Sequence, residues 1–350
     1  MPFTAAQIAS GATSQLDYFA ANEPVDQINT ARPLLKTLID QRQASPGGNQ
    51  FYVEQIMVSN DSNYQNYFGA QQVSYNERDG IRQARWAWYN FHDGFGLDED
   101  RLAANGIVMT DDREATPTSA EKLQLTNLLQ TGYTQLRESI HTGLNDELWR
   151  DGVYDINATP GIDALVSTTP AAGTIGGLNA ATQTFWRNNA SVNIATATPG
   201  SLTDQMEIMW RACTRFGGEA PTHIVASSAF LDAYRRDATN TVNRQIMVPG
   251  RGGTAMDASV TGVFFKGIEV VWDPTLDTLD ARFGAPPVRW DRRCYFLNMR
   301  HIKLRPLTGH WMVNRKPDRP YDRYVHYFGQ TSKYRLTMAK RNSHAVLSIA

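Results

Sequence analysis

The chain has 350 residues, 41% of them hydrophobic, and its 34 basic side chains against 35 acidic ones leave a formal net charge of -1. That length suits two or three packed lobes, and the charge balance excludes whole-molecule attraction to nucleic acid or an anionic membrane, leaving only local contacts. Cys213 and Cys294 lie far apart and outside any CxxC spacing, so neither a disulfide framework nor a thiolate metal site is suggested; no stretch approaches the ~20 apolar residues of a membrane span.

Residues 1–48 are predicted to form an N-terminal arm, with an amphipathic piece from Ala5 to Ala21, a Pro-containing connector and a helical stretch from Thr30 to Gln43 that breaks at SPGGN. Neither half carries enough apolar surface for a core of its own, so the arm is expected to lie on a partner surface. Residues 49–105 form an extended loop. FYVEQIMVS alternates as a strand, NDSNYQNYFGAQQ is polar, and VSYNERDGIRQARWAWYNF returns as a second extended run, with Asp79-Gly80 as the turn signal. A two-stranded excursion with so few aliphatic side chains is marginal alone in water, and neighbouring copies of the chain are expected to cover it. The aromatics of WAWYNFHDGF are expected to pack on the helix that follows rather than stack on bases. GFGLDEDR, from Gly94 to Arg101, lacks the alternating oxygen ligands of a calcium loop and reads as a solvated turn or an intersubunit partner for arginines.

Residues 106–158 contain the clearest element, a spine helix over 118–149. Thr118 can cap it and Glu121 can reach back to the cap; Leu125, Leu129, Tyr133, Leu136, Ile140, Leu144 and Leu148 recur at three or four residues over roughly 45 Å. Residues 159–287 alternate helices and strands: SLTDQMEIMWRACTRFGG as a helix, HIVAS as a buried strand, SSAFLDAYRRDA as a helix capped by Ser227 or Ser228, a long glycine-containing loop with Arg251, and VFFKGIEVVWDP as a buried hairpin. Residues 288–350 return to short strands.

GTIGGLN, Gly173 to Asn179, lies where a phosphate cradle would sit, but it fails the GxGxxG spacing and no GK(S/T) occurs anywhere. Its glycines are read instead as a turn, with Gly173, Gly176 and Gly177 critical to the fold and Phe185 and Trp186 as an anchor beyond it. The seven histidines form no HExxH or HxH set, and His301 has no paired acid nearby in sequence. No nucleophile–base arrangement stands out, so no catalytic, cofactor-binding or metal-binding residue is assigned. KYRLTMAKRN, with Arg315, Lys316 and Arg319 upstream, is the best local candidate for weak, non-specific contact with DNA, against intersubunit pairing or a solvated strand face.

The order of arm, extended loop, spine helix, helix–strand lobe and returning strands resembles the bacteriophage major capsid proteins of the HK97 fold. NATPGIDALVSTTPAAGTIGGLNAATQTFWRN is similar to the coat pattern of a helix end, a small-residue turn, G(I/L)xxLV and a Gly/Asn loop closed by an aromatic and Arg, and FFKGIEVVWDP resembles the G-x-V-V hairpin of that family. The resemblance implies an α+β, HK97-like capsid fold in which 106–158 and 288–350 form the peripheral domain and 159–287 the axial domain. It also implies a structural protein without enzymatic activity, forming pentamers and hexamers of an icosahedral shell around the double-stranded DNA of a tailed phage. Such a chain is made in the bacterial cytoplasm and resides in the virion, with a portal, a separate scaffolding protein or a processed segment, and in some shells a decoration protein, as partners. An encapsulin-type nanocompartment follows the same plan; a soluble α/β enzyme binding a phosphorylated ligand is the alternative from another class. Arg78, Asp79, Arg82 and Arg85 on the loop, Glu99 and Asp100 beyond it, and Arg251 are the expected intersubunit residues. Some shells of this fold cross-link a loop lysine to an asparagine of a neighbour. No lysine lies between Lys36 and Lys122, so non-covalent stabilisation is expected.

Overall fold

A computed structural model describes residues 30–104, 119–241, 263–315 and 324–350. The Ala5–Ala21 piece, the Thr118 cap, Arg251 with its loop, Lys316 and Arg319 lie outside them.

Pro33 opens helix α1 (Pro33–Asp40), where its missing N–H falls in a first turn that leaves such groups unpaired anyway. Leu34, Leu35 and Leu38 are buried. The chain then runs beside a later strand: Gln43 N–H donates to the Leu304 carbonyl (3.0 Å) and Ser45 N–H to that of Pro306 (2.8 Å). For this stretch, the surface on which the arm lies is its own chain.

Strands β1 (Tyr52–Met57) and β2 (Ile81–Trp86) pair antiparallel, Tyr52 opposite Trp86 and Met57 opposite Ile81. The expectation that Asp79-Gly80 makes the turn is corrected: Val58 N–H already bonds the Gly80 carbonyl at 2.7 Å, and the chain reverses farther out. Gly80 is there for close approach, since a Cβ would stand 2.3 Å from the Ser59 carbonyl oxygen. After β3 (Tyr89–Asp98) and the short α2 (Glu99–Ala104) comes α3 (Ser119–Trp149), 31 residues long. Its buried stripe runs through Leu128, Leu136, Ile140, Leu144 and Leu148 to Trp149. Then follow α4 (Ile162–Leu165), β4 (Thr174–Ile175), β5 (Leu178–Asn179), β6 (Asn189–Ile194), α5 (Ser201–Thr214), β7 (His223–Ala226), α6 (Ser228–Thr241), β8 (Phe264–Phe265), β9 (Ile268–Trp272), α7 (Pro274–Phe283), β10 (Arg293–Leu297), β11 (Ile302–Pro306), β12 (Val313–Arg315), β13 (Val325–Met338) and β14 (Ala345–Ile349).

The chain divides into two units. The larger takes Ala31–Tyr89, Asn145–Thr308 and Tyr334–Ala350. Its six-stranded sheet has the order β6-β14-β10-β7-β9-β8. Every residue of β10 is buried, as a strand covered on both faces requires. Cys294 and Phe296 point toward α5 and α6, meeting Leu202, Met206, Phe230 and Tyr234. Tyr295, on the other face by alternation, lies 5.3 Å from the Trp149 ring. Asp273 caps α7 by accepting from the Thr275 N–H (2.9 Å) and also accepts from the Trp149 indole (3.3 Å). Ser227, rather than Ser228, caps α6 through the Phe230 N–H. The VFFKGIEVVWDP hairpin forms as β8 and β9 but is buried on one side only, leaving Phe264 and Trp272 exposed.

The smaller unit contains Asn90–Leu144 and Gly309–Lys333. Here β12 and β3 both pair with β13, and Leu97, Leu102 and Leu128 form a core with Phe95, Leu129 and Phe328 around it. The expected solvated turn at GFGLDEDR is corrected: its first half completes β3 and its acidic half begins α2. Glycines suggested a turn, but Gly94 and Gly96 admit close neighbours from β13.

Candidate assembly surface

Between β1 and β2 the extended loop has no regular ladder, and its Asn, Gln and Ser residues take over the work of one. Asn63 donates to the Ser74 carbonyl (2.6 Å), Gln65 to the Ser74 hydroxyl (2.6 Å), and Ser74 N–H returns a bond to Gln65 (3.2 Å). Nearer the strands, Asp61 accepts from the Ser59 hydroxyl (2.6 Å) and the Asp79 N–H (3.1 Å). With the polar side chains turned inward on the backbone, the aromatic ones are left outside: Phe68 is 87% exposed and Tyr75 93%, and Met57, Tyr64 and Tyr67 are also open to solvent. These large apolar side chains are gathered on one excursion of the chain, residues 57–75.

The glycine segment sits at the base of this loop. β4 and β5 form a minimal hairpin whose two turn residues, Gly176 and Gly177, have φ of 60° and 77°, the sign that both central positions of a type I′ turn demand. Gly176 accepts a bond from the Arg85 N–H at 2.8 Å, and a Cβ on it would lie 3.2 Å from the Ala84 Cβ. Gly173 also has positive φ, at 86°. No α-helix opens directly from the turn, which is followed only by a single 3-10 turn at Thr184–Trp186 and then β6, so the geometry of a phosphate cradle is missing. Trp186 is the anchor, buried and donating its indole N–H to the Ile175 carbonyl (2.9 Å); Phe185 is only half-buried. Arg341 holds the same segment from behind, donating to the Leu165 and Trp186 carbonyls (both 2.8 Å) and to the Asn188 side chain (3.2 Å). Burial without an acidic partner lowers its pKa to about 10.

The charged candidates are distributed unequally. Asp79 and Arg82 pair with each other at 3.0 Å on the exposed face, while Arg78 and Arg85 are exposed. In the smaller unit Glu99 faces His326 at 3.6 Å, and Asp100 is exposed. The basic tail is corrected: Arg335 and Arg341 are buried and bonded inside the larger unit, and Lys340 donates to the Phe216 carbonyl. A solvated strand face was the alternative to DNA contact for this segment, whereas Tyr334–Met338 of β13 are buried without alternation. His301 is corrected as well. It hydrogen-bonds Glu219, and that bond is the main cause of the lowered Glu219 pKa. The two are far apart in sequence, so spacing carried no signal. Both cysteines are free and buried, and desolvation raises the Cys213 thiol to about 12. Among the described residues no three His, Cys, Asp or Glu side chains are placed to hold a metal ion.

No protein-family model matches the chain, and no curated protein matches it by sequence. Its fold does have solved counterparts. The capsid asymmetric unit of cyanophage A-1(L) is similar over 94% of this chain and 96% of that one, with a TM-score of 0.62 at 17% identity. The capsid of Myoviridae phage XM1 covers 96% and 98% with a TM-score of 0.54 at 9% identity, and a chain from Gordonia phage Cozz 100% and 98% with 0.55 at 12%. The chain therefore has the HK97-like capsid fold over nearly its whole length.

Proposed function

We propose that this chain is the major capsid protein of a tailed bacteriophage, a structural protomer that assembles into a closed icosahedral shell around double-stranded DNA. The observation that carries the proposal is the aromatic tip of the extended loop: a lone chain leaves Tyr64, Tyr67, Phe68 and Tyr75 in water, and a second copy of the chain gives them a surface to bury. The fold shared with capsid chains supports the same reading. Burial at the tip supplies the driving force, at roughly 25 cal/mol per Å² of apolar surface, and exposed charges such as Arg78, Arg85 and Asp100 set orientation and register. Pentamers and hexamers follow from repeating one heterologous contact around an axis. A portal, a scaffolding protein and a decoration protein are the partners such a shell requires or accepts.

Sedimentation and electron microscopy of the expressed protein test the proposal. Megadalton closed particles, alone or with a co-expressed scaffold, are expected, and nucleic acid inside particles from infected cells separates a phage shell from a nanocompartment holding a protein cargo. A stable monomer or small oligomer under all these conditions would refute the shell.

A further inference from the structure

Three turns of the larger unit meet beside the Leu297 end of β10. Helix α5 runs out at Thr214 into Arg215 and Phe216, and Gly217 and Gly218, with φ of 81° and 68°, reverse the chain toward Glu219. The β10–β11 turn brings Arg300 and His301, and the chain beyond β13 brings Lys340. Hydrogen bonds tie the three together. Lys340 Nζ donates to the Phe216 carbonyl, Glu219 bonds His301, and the Ala339 N–H donates to the His301 carbonyl (3.0 Å). Gly217 leaves room for the ammonium group, since a Cβ there would lie 2.8 Å from it.

Charge on these turns is one-sided. Over residues 211–220, 298–301 and 339–342, Glu219 is the only carboxylate. It is engaged by His301 and lies 3.9 Å from Arg300. Arg211, Arg215 and Arg300 are exposed. Arg215 keeps helical backbone angles, so it stands one turn beyond Arg211 on the same side of α5, about 5–6 Å away between Cβ atoms. Arg211 is 4.0 Å from Glu207, which lies closer to Lys266 at 2.9 Å. The guanidinium of Arg215 rests 5.5 Å from the Phe216 ring. The negative end of the α5 dipole favours cations here without neutralising them.

We propose that this cluster is a backbone contact for double-stranded DNA, in which Arg211, Arg215, Arg300 and Lys340 meet the phosphates. A duplex carries one charge per ~1.7 Å of its axis, so cations spread over three turns engage several phosphates at once and need neither a pocket nor a base sequence. Guanidinium groups suit bidentate contact with phosphate oxygens. With a formal charge of -1 over the whole chain, the attraction is local and screened by salt. Of the segment KYRLTMAKRN only Lys340 takes part, since Arg335 and Arg341 are buried. The proposal takes from the shell reading only the source of the DNA. Binding by the unassembled chain is measured without any particle, so either reading can fail alone.

Fluorescence anisotropy of short labelled duplexes with the unassembled 350-residue chain tests this. Between about 50 and 200 mM salt the affinity should fall about a hundredfold, a logarithmic slope of about -3.6 for four phosphates, and equally for duplexes of unrelated sequence. The double variant Arg215→Gln/Arg300→Gln should lose about two from that slope and bind at least about tenfold more weakly at low salt. Lys36→Gln/Arg42→Gln removes the same charge at exposed positions elsewhere and should change neither. Should the Arg215→Gln/Arg300→Gln variant fail to fold, judged by urea unfolding, each single variant is expected to lose about one from the slope. No binding at low salt, a slope unchanged by the arginine variants, or an equal loss in the Lys36→Gln/Arg42→Gln control would overturn the proposal. Tighter binding of polyglutamate than of duplex would overturn it too, making the partner an acidic protein.

Discussion

Gly176 and Gly177 adopt the same sign of φ for one turn, yet they are not equivalent. Gly176 abuts Ala84 and Trp86, whereas nothing lies near a Cβ at Gly177. Gly177→Val is expected to cost about 1–2 kcal/mol from the left-handed backbone alone. Gly176→Val adds a steric clash and should cost more, about 2–3 kcal/mol in total; urea midpoints of the two variants check the ordering. His344 is a second residue with a defined consequence. Fully buried, it accepts the Asn298 N–H at Nδ1 (3.1 Å), and desolvation lowers its pKa from 6.5 to about 3. A depressed folded pKa means that the unfolded chain takes up the proton first, so the stability is intact above pH 6.5 and is lost as pH falls from there toward 3. His344→Asn keeps an acceptor without a titrating ring, and its stability should fall less steeply than the native chain's across that window in pH-dependent urea unfolding. The glycine turn was legible in the sequence because adjacent glycines supply, without steric cost, the positive φ that both central positions of such a turn need. The histidine was not, since its burial depends on strands brought together from distant parts of the chain.

The long helix α3 was the most legible element, its leucines repeating over enough turns to leave no other period. The face it presents shifted in one place: Leu128 is more buried than Leu129, because the aromatic cluster of the smaller unit takes up the neighbouring surface. Phe95 stacks on Phe328 with ring centroids 5.4 Å apart and meets Tyr133 edge-on at 5.6 Å. Gly132 makes room for it, since a Cβ there would lie 2.7 Å from the Phe95 ring. Gly→Ala in a helix ordinarily gains about 1 kcal/mol. Gly132→Ala is expected to reverse that sign, with a net loss of about 1–2 kcal/mol as the packed ring is displaced, measurable by thermal or chemical unfolding. The extended loop was legible as an element but not in its internal order. Period-two alternation placed β1, and the polar stretch was identified as an excursion, but Asp79-Gly80 was misplaced because a turn dipeptide also serves where two segments of one chain approach closely, as Gly80 and Ser59 do. The inward position of Glu54 was available from alternation with Tyr52 and Ile56; what it meets was not, since Arg305 lies 251 residues away in sequence and Arg335 lies farther still.

For the whole molecule, the exposed loop separates folding from assembly. Replacing Tyr64, Phe68 and Tyr75 together by Ser should leave the stability of the lone chain within about 0.5 kcal/mol per site, because these side chains are already in water. The same substitutions should abolish or strongly weaken particle formation, read by sedimentation. Particles of the native protein boiled in denaturant should run as monomer without a covalent ladder, because the loop has no lysine to cross-link. The order of elements, the length of the spine helix, the glycine turn and the lack of catalytic spacing were determined by the sequence itself, since each rests on local periodicity, local dihedral demand or short spacing. The inward burial of the basic tail, the pairing of His301 with Glu219, the docking of α1 beside β11 and the arginines beneath the hairpin were decided only by tertiary structure. Each depends on a neighbour far away in the chain, and local periodicity carries no information about which distant side chain will arrive to neutralise a charge.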